Sequence, residues 1–444
     1  MASTRATMAS LPVVPAAAVR TLPVLDSAAG QPRTAIARDA DRRITFVGLG
    51  MVGVFVGLAI LGLAHLVVGR TGLWVPLHLA LAGGASTAVA AVMPFFTAAL
   101  AAAPPIAARW RSLAIALVAG GALIVSVAVP AGWTSLALAA GSAYVMGIGL
   151  VAVVAMRPLR SALGVRRPLV EIAYVVALGQ VAFGAVIALG LVAALPAVAT
   201  NWALLKPAHG WLNLFGFLTV VIAASLVHLA PTVAGSRIKT RRSAMAAVIS
   251  LIGGPPLIAV GLVLAADQLV RLGAIVQVVG AVALVAHAAV VRRERATWTT
   301  DPGWHRFTGW SLAAAPAWLL AAVAVAAGRL LWLGADPASW SLALIAAPLA
   351  LGFVVQIVLG SWSHLVPAIG PGDMAGHARQ RAALGQMAAA RVVALNVGVG
   401  LTWLAATGEA ALATAVGLVL VVTSVAGTLL LLARSAVVAR RVGP

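Results

Sequence analysis

Residues 206 to 237 read KPAHGWLNLFGFLTVVIAASLVHLAPTVAGSR, an apolar run closed by Lys206 at one end and Arg237 at the other. Crossing the hydrocarbon core of a bilayer takes about 20 apolar residues, and this run from Lys206 to Pro231 supplies them. The stretch is therefore a membrane-spanning helix, and the rest of the chain repeats its pattern. Hydrophobic residues make up 62% of the 444 positions and charged ones only 9%, far from the balance of a water-soluble domain. The partner this composition requires is the lipid bilayer.

Eleven further runs of that kind flank the first. The predicted spans cover 44–69, 73–103, 112–133, 136–156, 168–197, 206–231, 243–265, 270–291, 307–327, 338–367, 391–407 and 410–433. The fold class is thus all-α, a polytopic bundle of about 12 transmembrane helices forming one membrane domain over 44–434. Residues 1–43, rich in Ala, Pro, Thr and Arg, read as a disordered cytoplasmic tail, and 435–444 as a short basic one.

A net charge of +20 raises the question of nucleic acid, but no basic stripe with interleaved aromatics is present, so no nucleic-acid partner is expected. The charges instead follow topology. With the amino terminus inside, every Lys and Arg except Arg70, Lys206, Arg271 and Arg329 falls on the cytoplasmic side, the asymmetry that orients membrane proteins. This predicts a multi-pass protein of the cell membrane with both termini cytoplasmic. Trp74, Trp133, Trp202, Trp332 and Trp340 fall near the outer boundary and Trp110, Trp298 and Trp304 near the inner one, as interfacial anchors do.

Spans two, six and ten each end in proline, at Met93-Pro94, His228-Leu229-Ala230-Pro231 and His364-Leu365-Val366-Pro367. The even spacing suggests three pseudo-repeats of four spans, although prolines also end unrelated helices.

The chain has no cysteine, so thiolate metal sites and covalent haem attachment are excluded, and any metal or haem must be held mainly by histidine or methionine. His65 and His78 flank the first outer turn at similar depth, and His209 enters the same layer at the start of the sixth span. His228 lies roughly 28 Å further along that helix and belongs with His287 and His364 in an inner layer, where interhelical hydrogen bonding is the plainer role. Small residues beside the outer pair, Gly83 and Gly84 after His78, and Gly210, Asn213 and Gly216 after His209, suit close packing around a flat cofactor; glycine is also ordinary helix-packing material. Glu171, near Arg166 and Arg167, reads as a boundary ion-pair residue.

The 206–237 stretch resembles the histidine-bearing helix of outlying members of the haem–copper oxidase subunit I superfamily, among them the NnrS family and actinobacterial multispan proteins labelled copper oxidase. Residues 76–100, PLHLALAGGASTAVAAVMPFFTAAL, look like a second histidine helix of that group. The resemblance implies a haem ligand at His78 and a metal ligand at His209. The adjacent histidines of that superfamily's seventh helix and the pair of its tenth have no counterpart here. No tyrosine follows His209, whose helix has Asn213 one turn on, and the only tyrosines are Tyr144 and Tyr174. No glutamate cluster lines spans six and seven. The resemblance therefore implies a reduced relative without a complete oxygen-reductase site.

Two classes of function follow. One is a haem- or copper-binding membrane protein of redox or nitrogen-oxide metabolism, with His78, His209 and Asn213 around the cofactor, metal ligation by His65, His78 and His209, and a redox partner protein to exchange electrons. The other is a 12-span secondary transporter or membrane scaffold subunit, in which the histidines bond between helices and membrane-embedded charge for ion coupling is scarce.

Overall fold

Backbone groups in lipid have no water to bond to, so apolar runs of this length close their hydrogen bonds internally as helices. The computed structural model describes residues 31–67, 74–101, 103, 106–160, 168–296, 304–369, 374–406, 408 and 411–440. Among them there is no strand, and twelve helical segments are long and apolar enough to cross a membrane. They are α1 (Ala40–Gly62), α2 (Trp74–Ala101), α3 (Ala108–Ala128), α4 (Thr134–Pro158), α5 (Pro168–Val192) and α6 (Trp202–Ala234). The second half comprises α7 (Arg242–Val263), α8 (Asp267–Arg293), α9 (His305–Leu333), α10 (Pro337–Pro367), α11 (Ala388–Ala405) and α12 (Ala411–Ser435). Each corresponds to one span expected from the sequence.

Packing repeats every four helices. The second helix of each set touches all three companions: α2 meets α1, α3 and α4; α6 meets α5, α7 and α8; α10 meets α9, α11 and α12. The sets join through α4 against α5 and α8 against α9. The third and fourth helices of each set form a close antiparallel pair in which backbone meets backbone. A Cβ on Gly121 would lie 2.7 Å from the Ala140 carbonyl, one on Gly273 2.8 Å from the Ile258 nitrogen, and one on Gly398 2.7 Å from the Gly417 carbonyl. Such approach lets dispersion and weak polar contacts hold helices together where lipid offers no hydrophobic drive. A period of four agrees with the proline-marked repeat and not with two six-helix halves.

The central helix is α6, the most enclosed of the twelve, with Trp211, Phe215, Ala223 and Ala224 all buried. Side chains such as Val47, Leu61, Val153 and Leu430 are exposed and form the lipid-facing belt.

The helix that contains α1 starts at Gln31, upstream of the boundary expected at residue 43. Within that extension the Asp41 carboxylate is held in the bundle by its ion pair with Arg111. The final helix likewise runs on to Arg440, where Gln380 of the short helix Met374–Gly385 donates to the Ser435 carbonyl at 3.2 Å. Two expected tail segments are therefore partly helical.

Arg111, Arg241 and Arg391 are among the basic residues that the sequence assigns to the cytoplasmic side. All three are buried, each at the start of the third helix of its set. Arg111 donates to the carbonyl of Asp41 (2.9 Å), the hydroxyl of Thr45 (2.9 Å) and the carbonyl of Ala91 (2.6 Å), besides its ion pair with Asp41. Arg391 donates to Gln386 and Leu384 carbonyls and to Thr428, with its guanidinium 4.2 Å from the centre of the Phe307 ring. Arg241 pairs with Glu294 at 2.5 Å. Sequence reasoning missed this role because a basic residue at a helix end reads the same whether it faces water or three neighbouring helices.

Candidate functional site

His78 and His209 stand in equivalent places on α2 and α6. Each is preceded by proline two residues earlier, in Pro76-Leu77-His78 and Pro207-Ala208-His209. Each is followed by a stretch of π-helix, Leu79–Ala85 after the first and Trp211–Leu218 after the second. A third π stretch, Ala347–Val355, occupies α10 with Pro348 inside it and no histidine before it. Runs of i→i+5 bonding are rare and recur at functional positions, and their presence in α2, α6 and α10 alone among the described residues strengthens the period-four pattern. The shared Pro-x-His was the sequence signal available for this equivalence.

The rings are held alike. His78 Nδ1 lies 2.9 Å from the Trp74 carbonyl, and the Trp74 indole stacks on the imidazole with centroids 3.6 Å apart. His209 Nδ1 lies 2.8 Å from the Gly184 carbonyl of α5. A carbonyl only accepts, so Nδ1 carries a proton in both rings, and in the neutral form of each ring Nε2 holds the lone pair. Neither Nε2 has a hydrogen-bond partner among the described residues. Both side chains are only partly buried, and the two rings lie within electrostatic reach of each other. This is how ligating imidazoles are normally oriented, with the second nitrogen tied to a backbone or carboxylate oxygen.

Asn213 serves His209 directly. Its amide Nδ2 is 2.6 Å from the His209 carbonyl and 3.0 Å from Nδ1; with Nδ1 protonated, the carbonyl is the acceptor. Gly184 makes room for that amide, since a Cβ there would sit 2.6 Å from Asn213 Nδ2. His65 belongs to the helix containing α1, but its side chain lies outside the described residues, as do Arg70 and Thr71.

The glycines beside the histidines are filled. The Cβ position of Gly83 is taken by the Phe55 ring of α1, with Phe55 Cε1 2.5 Å away, and that of Gly210 by the Trp340 ring at 2.6 Å; Gly216 faces Gln180. These glycines admit neighbouring side chains, so they do not open a slot for a flat macrocycle. No group of three or more His, Asp or Glu residues converges among the described residues.

The inner histidines are separate. His228 meets Phe96 of α2 edge to face, with centroids 5.8 Å apart. His287 is buried beside the Arg241–Glu294 pair, and His364 lies near His305 and Arg381. No protein-family model and no curated protein matches the chain.

Proposed function

We propose that this protein is an integral membrane metal-binding protein in which His78 and His209 hold copper or the iron of a haem, in the service of redox or nitrogen-oxide metabolism. The observation supporting this reading is the shared orientation of the rings: two imidazoles on equivalent helices, each with Nδ1 tied to a carbonyl and Nε2 without a hydrogen-bond partner among the described residues, so that its lone pair in the neutral ring can go to a metal. Imidazole suits both copper and iron. The filled positions at Gly83 and Gly210 favour a single ion over a macrocycle, so copper is the better fit. Copper so held would carry one electron at a time, and a redox partner protein would supply or remove it. Asn213 and the Gly184 carbonyl orient His209, and the Trp74 carbonyl and indole orient His78. His65 is the third candidate donor.

Interhelical bonding is the competing role, and the His209 to Gly184 contact is a bond of that kind. His78 differs, because its Nδ1 partner is on its own helix. Metal analysis and an absorption spectrum of the purified protein separate the two. Stoichiometric copper, or a Soret band, lost in both His78→Ala and His209→Ala with folding retained is the expected result. A folded wild type that takes up neither copper nor haem when offered them would overturn the proposal.

A further inference from the structure

At the end of the bundle opposite the histidine pair, a cavity of about 210 Å³ opens between α6, α8 and α9. A water molecule needs on the order of 10–15 Å³ on that scale, so the space admits a group several times larger. Arg292 and Arg295 line it from the end of α8, and His305 and Arg306 from the first turn of α9. No Asp or Glu is among the described lining residues. Glu294, between the two arginines in sequence, is engaged elsewhere by Arg241 at 2.5 Å and Lys239 at 3.5 Å.

The cations are positioned in advance. Arg295 donates to the Arg292 carbonyl at 3.1 Å, and the Arg306 guanidinium packs over the Trp310 ring, 5.9 Å from its centre. Dipoles agree with the charge. The amino-terminal turn of α9 lies at this end, and the positive end of its helix dipole favours an anion. The carboxyl end of α6 is closed on itself: Gly235, at φ 62°, and Ser236 donate to the Thr232 and Pro231 carbonyls. The remaining wall is apolar, with Ala230, Val233, Leu312 and Ala313 above the cations and Trp310 partly exposed beside them.

We infer that this cavity binds a phosphate group, that of an anionic membrane lipid, with the acyl chains leaving along the apolar wall. Cation-lined pockets between membrane helices take lipid headgroups by this combination of charge and apolar surface. The inference is independent of the histidine pair.

The test is native mass spectrometry of the full chain in detergent, titrated with phosphatidylglycerol, phosphatidylcholine or inorganic phosphate. Wild type should retain one phosphatidylglycerol in preference to phosphatidylcholine. R292Q/R306Q should weaken that binding about 30-fold, from the usual contribution of an arginine near an anionic headgroup, while R157Q, which removes an exposed cation at the end of α4, should not. The single variant R295Q, weakening binding by a smaller factor, replaces the double variant if the latter fails to fold. Equal retention of the two lipids, or an equal loss in R157Q, would overturn the inference. Inorganic phosphate binding as tightly as the lipid would overturn the lipid as the source and assign the cavity to a free anion.

Discussion

Asp41→Ala isolates the energetic role of the ion pair that joins α1 to α3. The Arg111 side chain is 1% exposed and that of Asp41 7%, so the variant leaves a guanidinium in the bundle with only the carbonyls of residues 41 and 91 and the Thr45 hydroxyl to meet it. Removing one partner of a buried pair costs about 3–5 kcal/mol, much of it from the charge left uncompensated. Replacing both, as in Asp41→Ala/Arg111→Leu, removes that charge and should lie closer to wild type than Asp41→Ala alone. Denaturant titration of the purified protein in micelles, followed by tryptophan fluorescence, gives the four corners of a double-mutant cycle. A cost below about 1 kcal/mol for Asp41→Ala, or strict additivity of the two changes, would refute the reasoning. Removing the acid partner of the corresponding arginine in the second set, by Glu294→Gln, should cost less, because the Glu294 side chain is 37% exposed and water screens the pair.

Glu294 also sets a pH dependence. The hydrogen bond from Arg241, joined by the attraction of Arg241 and Lys239, holds its carboxyl below the usual carboxylate range, so this contact stabilises the α7–α8 end above the ordinary carboxylate pKa and is lost as pH falls through the lowered one. Hydrogen-exchange protection at residues 237–241 and 292–296, taken relative to the intrinsic rate at each pH, should fall on acidification in wild type and change little in Glu294→Gln; matching protection profiles would contradict this. The arrangement of basic residues predicts that reporters fused after Pro444 and before Arg42 both report cytoplasm, while an insertion near Asp336 reports the outer side. Reporters on opposite sides would require an odd number of crossings.

The twelve crossings were legible because hydropathy and length alone decide them in lipid, and the loop charges kept the count consistent. The proline-ended helices hinted at a period of four, which the packing of α2, α6 and α10 bears out. Partner choice was not legible. Gly83 and Gly210 read as space beside a histidine, yet whether a glycine is empty or filled depends on a ring from another helix, here Phe55 and Trp340. Arg111 and Arg391 looked like surface charges because Asp41, Thr428 and Phe307, their actual surroundings, lie far away in the chain. The orientation of His78 and His209 likewise rests on carbonyls at Trp74 and Gly184 that no side-chain pattern announces.

The three π stretches have a geometric consequence for their helices. Each residue of an α-helix advances about 100° around the axis and 1.5 Å along it, so one extra residue taken into a widened turn offsets the angular phase of everything on one side from everything on the other. In α2 and α6 the offset falls within two residues after the histidine, between the end that presents the imidazole and the end that packs against its set. The two ends can therefore obey different neighbours: Pro94 and Pro231 keep their faces toward the interior, while the histidine's azimuth is set by the turn before the widening. A helical wheel drawn unbroken through either span would place one half on the wrong side. Deleting a single residue from Trp211–Leu218 should swing His209 by about 100° and leave the lower half of α6 where it is.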